Sequence, residues 1–306
     1  MNNVKGKMMI KHNKGETYTR GMSLTYPKYA SVKLDGIRVS GQDGTLITNS
    51  GKEPPNQALI QKFAPLVQGL DGEFIYGDPA DLDVYTKTFS AVMRKNGGTA
   101  DGVTFHVFDV FLLEAEFRER LAFLQGQVAL QHAAFTSGSV SLLPQVLVNN
   151  EGELLFFYEE ALASGYEGMI LRNPTALYKQ GRSTLASQDL LKCKPLRDAE
   201  FVVGDVYEAQ TNLNEATKDA FGHTERSSHA ANKVGNGMLG GFNATWENGK
   251  SFKIAPGKLT HQERVQIWEN QETYRGRIGI YTYMDYGIVD VPRHGRFKAW
   301  TDAIVL

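Results

Sequence analysis

Lys33-Leu34-Asp35-Gly36-Ile37-Arg38 is the stretch on which the reading of this chain turns. Its lysine and carboxylate are two residues apart, so in extended backbone both leave the same face. Gly36 permits a sharp turn directly afterwards, and Arg38 returns a cation to the same neighbourhood. An amine, a carboxylate and a guanidinium thus gather at the end of a short apolar approach, Ala30–Val32. A free lysine, with a pKa of about 10.4, is almost wholly protonated at neutral pH. It becomes a nucleophile only where cations or desolvation lower that value. A reactive Lys33 therefore requires positive charge nearby. Lys-x-Asp alone reads more readily as a surface turn than as a reactive site. The longer pattern Lys-x-Asp-Gly-x-Arg arises by chance on the order of once in a few hundred chains of this length, so the downstream residues decide.

Four further stations follow. Leu70-Asp71-Gly72-Glu73-Phe74 reads as a turn entering a strand, or as Glu73 projecting into a pocket to hold a ribose hydroxyl or a metal. Phe105-His106-Val107-Phe108-Asp109-Val110-Phe111 reads first as a core strand, in which Phe108 either packs or offers its face to a purine. Gly165-Tyr166-Glu167-Gly168-Met169-Ile170-Leu171-Arg172 sets a carboxylate before an apolar strand, and Glu167 is a candidate Mg²⁺ ligand because hard cations favour carboxylate oxygen. Leu190-Leu191-Lys192-Cys193-Lys194-Pro195 puts Lys192 and Lys194 on one strand face. They form a basic surface edge or a seat for an anion, and they are the cations that a reactive Lys33 needs. Cys193 points the other way, into a core, with no reactive role expected.

Working outward, 306 residues suggest two domains, and 42% hydrophobic residues mark an ordinary folded protein. The net charge of −1 gives no global sign of a polyanionic partner. Residues 1–30, however, carry Lys5, Lys7, Lys11, Lys14, Arg20 and Lys28 against Glu16 alone, either a solvated surface or a phosphate-binding strip. One cysteine excludes an intrachain disulfide and a Cys-rich zinc site, and fits a reducing compartment. No apolar run has membrane-spanning length and no signal-peptide core is evident, so a cytoplasmic protein with no membrane partner is expected.

Periodicity places strands at Arg38–Ile47, around the turn Gln42-Asp43-Gly44, and at Phe105–Leu113. Helices are expected at Gln57–Val67 and Glu116–His132, the latter on the face Phe117, Leu121, Leu124, Val128 and Leu130. A boundary falls near Pro195–Arg197. Beyond it come a strand at Glu200–Tyr207, a polar loop from Gln210 to Gly237, a hairpin of Leu239–Trp246 with Ser251–Ile254 around Asn248-Gly249, and strands at Ile278–Tyr286 and Gly287–Val291. An open barrel of about five strands would fit this tail.

In order, Lys33-x-Asp35-Gly36-x-Arg38, Asp71-Gly72-Glu73, Phe108-Asp109, Glu167-Gly168-x-x-Leu171-Arg172 and Lys192-x-Lys194 resemble the covalent nucleotidyltransferases, the superfamily of DNA ligases, RNA ligases and mRNA capping enzymes. The resemblance implies an α+β chain: a nucleotidyltransferase (ATP-grasp-like ligase) domain over 1–196, then a β-barrel OB-fold domain over 197–306. It also implies roles. Lys33 is the adenylated nucleophile, and Asp35 assists later steps near a nick's 3′-OH. Arg38 and Glu73 contact the ribose, Phe108 stacks on adenine, and Ser31 and Val32 sit where the base edge is read. Glu167, with Glu73, holds Mg²⁺ or Mn²⁺, and Lys192 and Lys194 hold the α-phosphate of ATP.

The tail, from Asn212-x-Asn214 through Arg226-Ser227-Ser228-His229 and Gly237-Met238-Leu239-Gly240 to Arg293-His294 and Phe297, resembles small ATP-dependent DNA ligases of bacteriophages. The implied partner is nicked double-stranded DNA, bound by a monomer in a bacterial cell or a phage-infected host. Lys52, Arg226, Lys233, Arg293, Arg296 and Lys298 are the candidate DNA contacts. Two departures stand out. Asn49 occupies the place where many relatives carry an arginine for the nick's 5′-phosphate, with Lys52 as a nearby substitute. A C-terminal Arg-x-Asp-Lys, which helps expel pyrophosphate, is missing, leaving Arg293, Arg296 or Lys298 for that task. The alternatives are an RNA ligase or another covalent nucleotidyltransferase and, from a different class, a non-catalytic nucleic-acid-binding protein. An NAD-dependent ligase would carry a four-Cys zinc site, so ATP is the expected cofactor.

Overall fold

The computed structural model describes residues 9–19, 21–284 and 290–304, with side chains through Thr301. Lys5, Lys7 and Arg20 of the basic run, and the expected strand residues 285–289, lie outside the described residues. The chain divides into two compact units. The first comprises 1–194 with 218–223, and the second 195–217 with 224–306.

Among the described residues, the first unit holds two five-stranded sheets. One runs in the order Glu16–Thr17, Leu190–Cys193, Met169–Arg172, Lys28–Val32, Val146–Val148. The other runs Thr45–Thr48, Ile37–Gln42, Leu70–Tyr76, Val103–Val110, Val140–Leu142. The second sheet packs Val39, Leu46, Phe74, Phe105 and Val107 against Leu59 and Phe63 of the helix Gln57–Phe63 and Leu124 of the helix Phe117–Ala129. Val128 and Leu130 are 40% and 79% exposed, so the apolar face of that last helix is shorter than its sequence suggests. In the first sheet, Ala30, Leu171, Leu191 and Cys193 pack on Leu154 of the helix Glu151–Ala163.

Lys33–Gly36 is the crossing between the sheets, since Lys28–Val32 ends in one and Ile37–Gln42 begins in the other. A Cβ on Gly36 would lie 2.2 Å from the Phe74 carbonyl oxygen. The position therefore needs glycine for space, because two backbones meet there, and not for a positive φ.

The strand expected over Phe105–Leu113 stops at Val110, and Leu112 is exposed. Within it, Asp71 pairs with Asp109 but Gly72 pairs with Val107, so Phe108 is the extra residue of a bulge. Phe105, Val107 and then Val110 face the core. Without the bulge, strict alternation would aim Asp109 into that core; the extra residue hands the place to Val110.

In the second unit, two antiparallel three-stranded sheets share one aromatic-rich core, built of Phe201, Phe242, Phe252, Tyr281 and Phe297 among others. Their strand orders are Leu196–Val202, Arg277–Met284, Arg293–Ile304 and Val206–Asn212, Lys233–Thr245, Ser251–Ile254. The single strand expected over Glu200–Tyr207 is two, broken at 203–205. The expected hairpin stands, with a first arm that begins at Lys233. The segment read as a polar loop contains the short strands Ala216–Lys218 and Thr224–Arg226 and a 3₁₀ turn at Ala230–Asn232. The helix His261–Glu269 was not anticipated, although Thr260 and Glu263 form its capping box and Thr-x-x-Glu is a start signal.

Candidate active site

Register assembles the centre of the site. Met169 pairs with Val32 on one side and Cys193 on the other. Lys33, Gly168 and Lys194 therefore come together at one edge of the first sheet. The Lys33 N–H donates to the Gly168 carbonyl at 2.8 Å, which fixes the lysine's backbone. Gly168 has φ +144°, and a Cβ there would lie 2.2 Å from the Cys193 carbonyl oxygen, so only glycine brings Glu167 this close.

Glu167 is buried, and each of its oxygens is held by an ammonium: Oε2 by Lys33 and Oε1 by Lys194. Burial alone would lower the pKa of Lys33. The charges of Glu167, Glu73 and Asp35 and the hydrogen bond to Glu167 outweigh burial and hold Lys33 above its ordinary value. This corrects the expectation that neighbouring cations depress it. The depression falls on those cations instead. Burial, then the charge of Lys33, lowers Lys194; burial, then Arg182, Lys194 and Lys33 among its neighbours, lowers Lys192. Burial pushes the Glu73 carboxyl up to about 7, against the pull of Lys33 and of the Gly36 N–H, which donates to Oε1 at 3.0 Å. Cys193 is buried, and its thiol is pushed up to about 12.

The second sheet supplies the facing wall. Arg38 makes a two-pronged ion pair with buried Asp71, Nε to Oδ1 at 3.0 Å and Nη2 to Oδ2 at 2.6 Å, and the Tyr178 hydroxyl donates to the same Oδ2 at 2.6 Å. The ion pair overcomes the burial penalty and keeps Arg38 charged. Behind Phe108 lies a buried network in which Asp109 accepts from Arg120 at 2.7 and 3.1 Å and from Arg172 at 2.6 Å. The guanidinium carbons of Arg38 and Arg172 lie 5.1 and 5.3 Å from the Phe108 ring centroid. The bulge that turns Asp109 out of the core thus also anchors the aromatic wall.

These groups line one cavity of about 350 Å³. Ser31, Val32, Lys33, Arg38, Glu73, Phe108 and Lys192 are among the expected site residues in its lining. Glu167, Lys194 and Asp35 stand behind it, acting on Lys33 through charge. Apolar lining comes from Leu34, Phe108, Leu143 and Ile170. The lining also contains Lys14, Asn49, Arg172 and Arg182, to which the sequence assigned no place there.

Of the expected DNA contacts, Lys52 belongs to the first unit and the other five to the second. Lys52 is exposed and is not among the residues lining the cavity. Arg226 is exposed and donates to the Asn214 carbonyl, and Lys233 is half-buried at the start of its long strand. Arg293, Arg296 and Lys298 share the strand Arg293–Ile304, where Lys298 is paired with Asp198. Sequence reasoning missed Tyr178, 107 residues from its partner Asp71, and Arg120, which reads as an ordinary helical arginine and carried no local signal.

Residues 23–194 match the family model described as ATP dependent DNA ligase domain. A DNA ligase of Haemophilus influenzae is 29% identical over 176 residues, covering 56% of this chain and 60% of that protein. A DNA ligase of African swine fever virus is 43% identical over 58 residues, 19% of this chain and 14% of that protein. The chain thus spans at most about 60% of the length of these two relatives. Among solved structures, a Lig E DNA ligase superposes with a TM-score of 0.70 at 22% identity, covering 96% of this chain and 100% of its own. The Chlorella virus DNA ligase-adenylate superposes at 0.54 and 23% identity, covering 95% and 99%. The shared fold is a nucleotidyltransferase domain followed by an OB-fold domain.

Proposed function

The chain belongs to the ATP-dependent DNA ligase family, matched over residues 23–194, and from that premise we propose that it seals nicks in duplex DNA through an AMP covalently carried on Lys33. The supporting observation is one side chain: Lys33, its backbone fixed, its ammonium held by Glu167, facing a cavity that offers an aromatic wall and several cations.

In the first step the Lys33 amine attacks the α-phosphorus of ATP, a P–N bond forms, diphosphate leaves, and the bonded nitrogen sheds a second proton to solvent. The amine is competent only after its proton departs along the hydrogen bond to Glu167 Oε2. Lys192 and Lys194 stabilise charge on the phosphoryl oxygens. Phe108 packs on adenine, and Ser31 and Val32 border the base. Arg38, immobilised by Asp71, and Glu73 meet the ribose. In the second step an oxygen of the nick's 5′-phosphate attacks the same phosphorus. The P–N bond breaks, its electron pair returns to nitrogen, and the nitrogen takes up two protons from its surroundings. The carboxylates that raise the pKa of Lys33 favour this departure as an ammonium. In the third step the 3′-OH, with Asp35 nearby, attacks the activated 5′-phosphate, and AMP is released.

Among the described residues, no group of three or more His, Cys, Asp or Glu side chains is placed to hold a metal. Mg²⁺ is suited to a smaller donor set, one or two carboxylates completed by substrate phosphates and water. Glu73 and Glu167 fit that role, Glu73 being the one whose carboxylate is not claimed by two lysines. Mg²⁺ or Mn²⁺ held there supplies positive charge beside the phosphoryl oxygens.

Incubation with α-labelled ATP, followed by a nicked duplex, tests the reading. A labelled protein band that discharges as the nick is sealed supports it. Discharge onto single-stranded RNA alone would favour an RNA ligase, and no label at all would leave a nucleic-acid-binding protein without catalysis.

A further inference from the structure

The described part of the N-terminal segment is built into the first unit. Gln42 accepts from the Ile10 N–H at 2.7 Å and donates to the Ile10 carbonyl at 2.9 Å. Buried His12 shares a 2.8 Å hydrogen bond with Ser40, and burial drives its pKa down to about 4, so it is neutral here. The strand Asn13–Lys14 then runs parallel to Gly181–Arg182 with Lys14 directly in register with Arg182. Two cations side by side on adjacent strands repel each other, and both line the cavity.

Their counter-charges are poor. Glu16 stands 3.8 Å from Arg182, which is 55% exposed. Asp219 acts on Lys14, but its Oδ1 accepts from the N–H groups of Phe221 and His223, at 2.9 and 2.8 Å, and its Oδ2 faces the His223 ring at 3.3 Å. Among the described residues the Lys14 ammonium has no ion pair. Burial, Arg38 and Arg182 together lower its pKa, as expected where an anion is needed to relieve crowding. Of the other cations in the lining, Lys33, Arg38 and Arg172 are paired with Glu167, Asp71 and Asp109, and Lys192 is assigned to the α-phosphate. That leaves Lys14 without an ion pair among the described residues, beside an Arg182 whose pairing with Glu16 is long and exposed. Asn49 in the same lining adds no charge.

We propose that Lys14, in register with Arg182, forms the seat of a phosphate-ester dianion, the 5′-phosphate of the nick, so that the N-terminal strand supplies the cation that position 49 lacks. The inference rests on the ligase reading. The same chemistry could be presented by the β- and γ-phosphates of ATP, and the steps of the reaction separate the two.

Lys14→Gln keeps the side-chain length without the charge, and Lys14→Arg keeps the charge. In the full chain, self-labelling by α-labelled ATP is compared with single-turnover AMP transfer from pre-labelled protein to a nicked duplex. The expected result for Lys14→Gln is a loss in transfer that exceeds any loss in self-labelling by roughly 10- to 100-fold. Preference for a 5′-phosphorylated nick over a 5′-hydroxyl nick should fall alongside, and Lys14→Arg should restore most of both. Equal losses in the two steps would move the site to the ATP phosphates, and no loss in either would remove Lys14 from the site; each overturns the proposal. If wild type fails to label, the ligase reading itself falls. A melting curve for each variant identifies unfolding, and Lys14→Arg then carries the test: a loss of transfer in a folded Lys14→Arg protein also counts against the proposal.

Discussion

Within one cavity lining, Lys33 is acted on by Glu167, Glu73 and Asp35, and its ammonium is held above the ordinary lysine range. Lys14 is crowded by Arg38 and Arg182, and Lys192 by Arg182, Lys194 and Lys33, and theirs are pushed below it. Burial acts on all three lysines in the same direction, so the sign of the nearest charges decides the outcome. One cavity thus keeps a cation where a covalent bond is to break and crowds cations where anions are to arrive. Attack on ATP runs against the preference of the acidic groups around Lys33, whereas release of the lysine runs with it.

Four substitutions probe this contrast, in descending order of effect. Lys33→Ala should abolish AMP labelling; a variant that still labelled as wild type does would place the nucleophile elsewhere. Glu167→Gln removes the partner of two ammonium groups. Self-labelling at neutral pH should drop by ~100-fold, within the range for breaking a buried charge pair. What labelling remains should have its pH profile displaced toward acid, because the chief charge holding the Lys33 pKa up is gone. A profile displaced toward alkali would overturn the assignment of Glu167 as the charge that holds Lys33 protonated. Lys192→Ala removes one of the crowded cations and should weaken apparent ATP affinity roughly tenfold, with the wild-type advantage shrinking at high salt.

The smallest effect concerns Glu73. Its folded pKa, about 7, lies above the unfolded value of about 4.5. The folded protein therefore binds more protons than the unfolded chain between these values. The resulting stabilisation is complete below about pH 4.5 and is lost as pH rises through about 7. Relative to wild type, Glu73→Gln should gain on the order of 2 kcal/mol between about pH 5 and about pH 8. Parallel melting-temperature curves across that interval would show that the carboxyl titrates normally.

The sequence exposes Lys33, Glu73, Phe108, Glu167 and Lys192 because each announces itself locally, as a charged or aromatic residue beside glycine or within an apolar strand. Lys14 and Arg182 do not. They are 168 positions apart, and only strand register makes them neighbours. The Arg120–Asp109–Arg172 network is hidden because Arg172 lies 63 positions from Asp109, and also because a one-residue bulge, invisible in the pattern of Phe and Val, decides where Asp109 points. The sign of the Lys33 shift was misjudged because it is a sum over several groups, and no motif carries a sum. In the second unit, alternation revealed the hairpin around Asn248-Gly249. The helix His261–Glu269 went unseen because Ile267 is its single buried residue.

The crossing at Gly36 also has a mechanical side. With the Phe74 carbonyl 2.2 Å from where a Cβ would sit, and with the Lys33 N–H clasped by Gly168, the post that carries the nucleophile is bolted to both sheets. With its backbone held at both ends, the amine above it is repositioned most readily through its own side-chain torsions. A methyl group at position 36 would act as a wedge driven between the sheets, tilting the post before it touched any chemistry.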